Sequence, residues 1–392
     1  MEPILFITYL AIVLLIGVLC VILSDLLRMP KILLLLLAGI SLQYLTLRGE
    51  RILNFPAEFV STIAIFTLAV VVFEGSSQFK FRDFDELTGR VLKLFFLSLA
   101  FNLVLVGTFS YFITGIRSIP LSILFAVLIT ATAAEIVLVL IKGGQTKAAK
   151  VLQIESLIND PFVVLIPFIV VSFLSSEKSF FIIEQVGPFL NQIITGLGAG
   201  LFVGIIVPKI YSERFINKFK HIAQLSLIVV AVGTYALAEN LGGNGALAVT
   251  VAGLMFGNLG VNLDILGFSS IFSEALQILI FILTGLVIKI PLKMNFILSI
   301  FTLYFLYLVA RFAAVKISIP EFGLKEEIFA TLISPKGVMV AVLVLALSTF
   351  QIPGLDIILN YVLAMLLISI FVSTIAIKFY HEPVSRTLLP DK

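Results

Sequence analysis

Charge is scarce in this sequence. Of its 392 residues, 12% are Asp, Glu, Lys or Arg and 60% are hydrophobic, whereas a soluble domain carries about twice that share of charge. A mean hydropathy of +1.18 excludes an ordinary water-soluble core. Cysteine is nearly absent. Cys20 stands alone, which excludes an internal disulfide framework and any multi-cysteine metal site. The two histidines, His221 and His381, lie far apart near segment ends and read as interfacial polar groups. There is no Gly-rich loop ending in Lys-Ser/Thr, no zinc spacing and no nucleophile elbow. An ATP-driven pump and an enzyme are therefore disfavoured, and no cofactor or nucleic-acid partner is expected. The first residues, MEPILFITYLAIVLLIGVLCVILSD, lack a basic n-region and a small-residue cleavage site. They read as a retained first helix rather than a signal peptide. No linker or low-complexity stretch and no appended soluble domain is expected.

What is present is a long series of apolar runs. A spanning helix needs roughly 20 mostly apolar residues, and about thirteen such runs can be marked. They lie near 4–24, 31–48, 55–75, 91–115, 119–141, 150–175, 187–211, 221–241, 243–262, 268–290, 295–316, 326–350 and 355–379. Backbone groups in hydrocarbon must be bonded within the segment, so these runs predict helices. A β-barrel would instead show short alternating segments. The expected fold is an all-α integral membrane protein forming a single transmembrane unit over residues 1–392. Charge placement predicts its orientation. Of the 26 Lys and Arg, only Arg48, Arg51, Arg117, Lys178, Lys289 and Lys293 fall on the side of the N-terminus. Arg311 and Lys336 lie inside spans, and the others collect on the opposite side. The positive-inside rule then puts the N-terminus outside and the C-terminus in the cytoplasm, which requires an odd number of spans.

Ionisable residues inside spans are costly, so each is a candidate functional group. Those here are Glu74, Glu135, Glu155, Asp160, Arg311 and Lys336. The strongest local signal is Glu155-Ser-Leu-Ile-Asn-Asp-Pro161. On a helix, Ser156 and Asp160 share a face, and Asn159 adds an amide beside them. A dehydrated monovalent cation wants hard oxygen donors, and these side chains supply them. One carboxylate can hold a proton or a metal cation but not both, and that competition by itself produces exchange. A carboxylate paired only for stability is the alternative. Glu155 and Arg311 are suited to an intramembrane ion pair, because each would be costly alone.

Two spans have helix-breaking or weakly apolar centres, Ile129-Thr-Ala-Thr-Ala-Ala-Glu135 and Ser334-Pro-Lys-Gly337. If residues 4–175 and 221–379 are inverted repeats joined by a linking helix near 187–211, the two breaks are equivalent. Interrupted helices in corresponding positions point to a transporter site. Half-helix ends would offer Thr132 oxygens to a cation, and Lys336 could offset their negative ends. A simple kink at Ser334–Gly337 is the alternative. Gly196, Gly200 and Gly204, spaced by four, predict a smooth face for close helix packing.

The chain resembles the NhaP-type sodium/proton antiporters of the monovalent cation:proton antiporter 1 family over nearly its whole length. Met29-Pro-Lys-Ile-Leu-Leu-Leu-Leu-Leu-Ala-Gly39 is similar to the family's second-helix run, and Phe73-Glu-Gly75 to the end of its third helix. Glu155-Ser-Leu-Ile-Asn-Asp160 resembles its Glu-Ser-x-x-Asn-Asp motif. Tyr235-Ala-Leu-Ala-Glu239, Gly245-Ala-Leu-Ala-Val249, Ala252-Gly-Leu254 and Ala310-Arg311 resemble further family blocks. Pro335-Lys-Gly-Val338 is similar to its Arg-Gly-Val stretch, with Lys in place of Arg. The resemblance implies about thirteen helices, crossing interrupted helices and a homodimer in which a core domain moves against a dimerisation domain. It implies ion contacts at Asp160, Ser156, Glu74 and the Thr132 region, and a Glu155–Arg311 bridge. It also implies sodium/proton exchange in the cytoplasmic membrane and a part in pH homeostasis. Asn159 before Asp160, rather than a second Asp, resembles the electroneutral branch. One departure stands out. The family's fifth helix reads Ala-Thr-Asp-Pro, but here the run is Ala131-Thr-Ala-Ala-Glu135. Glu135 lies two residues beyond the missing Asp and is a candidate to replace it. Two alternatives stay open, a potassium-selective exchanger or channel-like relative of the same fold and a transport-inactive membrane sensor, and the departure is what keeps the second open.

Overall fold

The computed structural model describes residues 3–27, 29–47, 50–51, 53, 55–77, 86–133, 147–175, 182–210, 220–259, 270–287, 290–291 and 293–387. Nearly all of them are helical. In chain order the helices are α1 (Pro3–Leu27), α2 (Lys31–Gln43), α3 (Ala57–Ser77), α4 (Glu86–Phe101), α5 (Thr108–Ile113), α6 (Ile119–Leu128), α7 (Lys147–Ser175) and α8 (Ile182–Ile210). They continue with α9 (Lys220–Asn240), α10 (Gly245–Asn258), α11 (Ser270–Val287), α12 (Met294–Ser318), α13 (Leu324–Leu332), α14 (Val338–Leu347) and α15 (Leu355–Thr387). A short ladder pairs Thr46 with Arg51 and Leu47 with Glu50. Among the described residues, six helices are each long and apolar enough to cross a membrane, and shorter apolar helices accompany them.

Most of these bounds fall within a few residues of the apolar runs. The second run stops early, at Gln43 rather than 48. There the Gln43 amide donates to the Leu286 carbonyl at 3.1 Å, and the chain turns into the short ladder. The last helix runs on to Thr387, beyond the expected 379.

Burial separates lipid-facing from central helices. α1 exposes Ile7, Leu15, Leu19 and Leu26 along its length, a face suited to hydrocarbon rather than water. α14, VMVAVLVLAL, buries all 10 of its residues. A helix apolar all round belongs in such a central place.

Two close helix pairs organise the bundle: α2 against α11, and α3 against α10. Both depend on missing side chains. A Cβ on Gly285 would lie 2.7 Å from the Leu36 carbonyl oxygen, and one on Gly253 would lie 2.7 Å from that of Phe73. The glycine stripe of α8 meets α10 in the same way. Cβ atoms on Gly196 and Gly204 would approach the Asn244 carbonyl oxygen to 2.8 Å and Met255 Cβ to 2.7 Å. The Asn244 amide donates to the Gln192 carbonyl at 3.1 Å, and the Asn244 side chain caps α10 by accepting from Leu247 N at 2.9 Å.

Two apolar runs are broken. α6 ends at Leu128, and residues 131–133 carry no helical structure. α13 ends at Leu332, and helix resumes as α14 at Val338. Pro335 explains the second break, because it has no N–H and disfavours helical conformation in the residue before it. The first break has no proline. The Thr130 hydroxyl donates to the Ala126 carbonyl at 2.8 Å, but Thr250 and Thr284 make the same bond inside unbroken helices, so it does not account for the break. The two breaks touch, with Ala133 N donating to the Pro335 carbonyl at 2.8 Å. A π turn at Asn102–Gly107 joins α4 to α5 without interrupting the rod.

The glycine stripe yields a test. Gly200→Ala would press a Cβ onto the Ala248 backbone and force α8 and α10 apart. We expect a cost of about 1–3 kcal/mol, seen as a lowered melting temperature of the purified protein. Gly198→Ala, with nothing within 4 Å of its Cβ, should melt no lower than the unmodified chain.

Candidate functional site

α7 carries the site's main motif. Its register sets Glu155 and Asn159 four residues apart on one face, with Ser156 and Asp160 four apart beside them. Glu155, Ser156 and Asn159 are buried. Asp160 continues the same helix, and its side chain lies outside the described residues.

Glu155 meets Arg311 of α12 through both carboxylate oxygens. Arg311 Nη2 donates to Glu155 Oε2 at 2.6 Å, and Nη1 donates to Oε1. Glu155 is 0% and Arg311 1% exposed. A guanidinium suits this task better than an ammonium, because its planar fork matches both oxygens. The pair joins the first third of α7 to the C-terminal half of α12.

Four residues further along α7, the Asn159 amide nitrogen donates to Thr132 Oγ1 at 2.8 Å. That bond reaches the end of broken α6, beside the Ala133–Pro335 contact. Asn159 Oδ1 is buried and has no hydrogen-bond partner among the described residues. Thr130, two residues before Thr132, accepts from Asn102 Nδ2 of the π turn at 3.0 Å. The oxygen-bearing face of α7 is thus held against two half-helix ends in an apolar interior.

The second break is equally tied. The Lys336 ammonium donates to the Tyr307 hydroxyl at 2.6 Å, and Tyr307 donates to Ser334 Oγ at 2.8 Å. Ser334 donates to the Thr331 carbonyl at 3.1 Å, in the last turn of α13. The relay carries the influence of a positive charge to the negative end of that half-helix. Two serines of α15, one turn apart, serve the same break. Ser369 Oγ accepts from Lys336 N at 3.0 Å, and Ser373 Oγ donates to the Leu332 carbonyl at 3.0 Å.

The structure therefore brings together Asn159 with Thr132, and Glu155 with Arg311, while Ser156 sits buried on the same helix. Lys336 is joined to α12 through Tyr307, not to the Glu155 carboxylate. Glu74 sits half-buried near the end of α3, where its backbone carbonyl accepts from Ser77. Glu135 lies outside the described residues. Sequence reasoning missed Tyr307, Asn102, Ser369 and Ser373. Only Tyr307 carried a signal, its spacing of four from Arg311, and a tyrosine in an apolar helix otherwise reads as packing or interfacial.

The end of α6 meeting the break between α13 and α14 inside a many-helix bundle, beside a buried Asn/Ser/Glu face and buried basic groups, defines a membrane transporter fold built around a central polar site. Residues 10–382 match the family described as sodium/hydrogen exchanger, transmembrane, and the chain belongs to that family. It is accordingly a multi-pass membrane transporter and not an enzyme. It is 27% identical over 359 residues to "Probable Na(+)/H(+) antiporter 2" of Methanocaldococcus jannaschii, covering 88% of this chain and 84% of that protein. It is 28% identical to the low-affinity Na(+)/H(+) antiporter NhaS1 of Synechocystis, where the match covers 59% of this chain and 43% of the relative. The chain thus spans under half the length of that second relative. The solved structure of the sodium proton antiporter MjNhaP1 from Methanocaldococcus jannaschii at pH 8 shares the fold. The two superpose with a TM-score of 0.75 at 20% identity, over 95% of this chain and 97% of that one.

The buried ion pair generates a prediction. Arg311→Met leaves the Glu155 carboxylate uncompensated and should cost about 3–5 kcal/mol. The double variant Glu155→Leu/Arg311→Met, which buries no charge at this place, should recover much of the lost melting temperature. A double variant that melts below Arg311→Met would show that the pair stabilises the bundle by more than mutual compensation.

Proposed function

We propose that the chain is a monovalent cation/proton antiporter of the cytoplasmic membrane, exchanging Na⁺, or K⁺ or Li⁺, for H⁺. The observation that carries this reading is the Asn159–Thr132 bond beside the crossing of the two broken helices. It gathers hydroxyl and amide oxygens at half-helix ends where the surroundings are apolar, the environment a partly dehydrated cation requires. Asn159 Oδ1, Ser156, Thr132, Asp160 and Glu74 supply the oxygen ligands, and Glu135 is a further candidate at the same break. Cation and proton compete for Asp160. One ionisable binding carboxylate on α7 suits one cation against one proton, which makes the exchange electroneutral. Glu155 and Arg311 brace the site, being already committed to each other.

Residues 4–175 and 221–379 act as inverted repeats, with the helix near 187–211 between them. The pairing of α2 with α11 and of α3 with α10 supports this, since each pair becomes the other when the repeats are exchanged. The crossing is bonded to α7, α12 and α15, so it moves as one body in an elevator-like change of access. The protein works as a homodimer, with the N-terminus outside and the C-terminus in the cytoplasm.

In proteoliposomes with a trapped pH-sensitive dye, a Na⁺, K⁺ or Li⁺ gradient should drive proton movement, and Asp160→Asn should abolish it. Absence of proton movement with all three cations, from acid to alkaline pH, defeats the antiporter reading and favours a cation-binding sensor. The exchange rate should not respond to an imposed membrane potential, and a rate that follows voltage rules out electroneutral exchange. A fluorescent protein fused to the C-terminus should become fluorescent in bacterial cells. A dark fusion, alongside a fluorescent control on the opposite terminus, reverses the orientation.

A further inference from the structure

Lys336 is among the largest fully buried side chains of the protein, at 1% exposure. Its ammonium meets Tyr307 twice. It donates to the hydroxyl at 2.6 Å and lies 4.1 Å from the ring centroid. The hydroxyl is fixed in turn by its own bond to Ser334 at 2.8 Å. Tyr307 stands one turn before Arg311 on α12, so one helix face carries both the group that grips Glu155 and the group that holds Lys336. Glu155 is already engaged through both oxygens.

A lysine ammonium is a compact charge on a flexible four-carbon stem. In a low-dielectric interior, its attraction to a carboxylate exceeds what a neutral hydroxyl offers. Left unheld, Lys336 would be drawn toward the Asp160 carboxylate, where it would be an internal competitor for the transported cation. We infer that Tyr307 is a positioning residue: it parks the Lys336 ammonium on α12, by hydroxyl and ring together, and so keeps the Asp160 carboxylate of α7 available to the cation. The inference builds on the exchange reading in taking Asp160 as the cation's carboxylate. Tyr307 touches neither the cation nor the proton.

The test is equilibrium binding of Na⁺, K⁺ and Li⁺ to the full-length purified protein, by isothermal titration calorimetry, kept separate from any transport assay. Tyr307→Phe removes the hydroxyl and keeps the ring. It should weaken cation binding about tenfold, the scale of one lost hydrogen bond to a charged group. Lys336→Met removes the competitor, so adding Tyr307→Phe to it should change affinity by less than about twofold. Lys336→Gln, which retains a donor for Tyr307, serves the same purpose if the methionine variant does not fold. Unchanged affinity in Tyr307→Phe overturns the inference. So does a tenfold loss that persists in both Lys336 backgrounds, since that would mark a purely structural role. Wild-type protein that binds Na⁺ but moves no protons in proteoliposomes defeats the exchange reading and leaves this inference to the binding data. Protein that binds none of the three cations defeats both.

Discussion

A backbone group that loses its helical partner inside hydrocarbon must find another, and the centre of this protein is arranged around that requirement. Two helices stop there, at Leu128 and Leu332, and each stop frees carbonyls and amides far from water. The freed groups are answered one by one. Ala133 N and the Pro335 carbonyl answer each other. Ser373 answers the Leu332 carbonyl, and Ser369 answers Lys336 N. Ser334 answers Thr331, and behind it Tyr307 and Lys336 bring a positive charge to the same helix end. Without these partners the freed groups would lie unsatisfied in hydrocarbon, at a cost of several kcal/mol each.

The Glu155–Arg311 pair belongs to the same economy. A single buried charge of either sign would be prohibitive, and the bidentate pair removes that cost while locking α7 to α12. The consequence for function is indirect. With Glu155 committed to Arg311, the other carboxylate on α7 is that of Asp160, the group proposed to carry the exchanged ion. Asn159, between them in the chain, faces Thr132 and not the ion pair. Glu155 and Asn159 thus sit about a turn apart on one face of α7, and the difference between them lies only in what stands opposite each.

Glycine sets the distances at which this can work. Gly253 on α10 and Gly285 on α11 bring those helices against the backbones of α3 and α2. The stripe on α8 holds α10 from its other side. Such contacts need no polar groups, which suits a medium in which burial of apolar surface gives helices little reason to associate. Close backbone approach replaces the hydrophobic effect as the source of tight packing, and it leaves the few polar groups free to serve the crossing.

Much of this was legible in the chain itself, for a definite reason. Hydrocarbon forces every spanning segment into helix, so apolar run lengths alone marked α1, α3, α7, α8, α9 and α12 to within a few residues. Pro335 announced the break between α13 and α14, and the Glu-Ser-x-x-Asn-Asp run announced a cluster of polar side chains on α7 that the fold buries. The spacing of the α8 glycines announced a smooth packing face but not its partner. The break after Leu128 was harder to read, because no proline marks it, and the π turn at Asn102 left no trace in composition. Residue type and spacing determined which segments cross the bilayer and which residues are too costly to be there without a purpose. Only the tertiary structure decided their partners: that Asn159 reaches Thr132, that Arg311 takes both oxygens of Glu155, and that Lys336 goes to Tyr307. Hydrogen bonds and ion pairs act over a few ångströms between residues as many as 243 positions apart, and no local pattern carries that information.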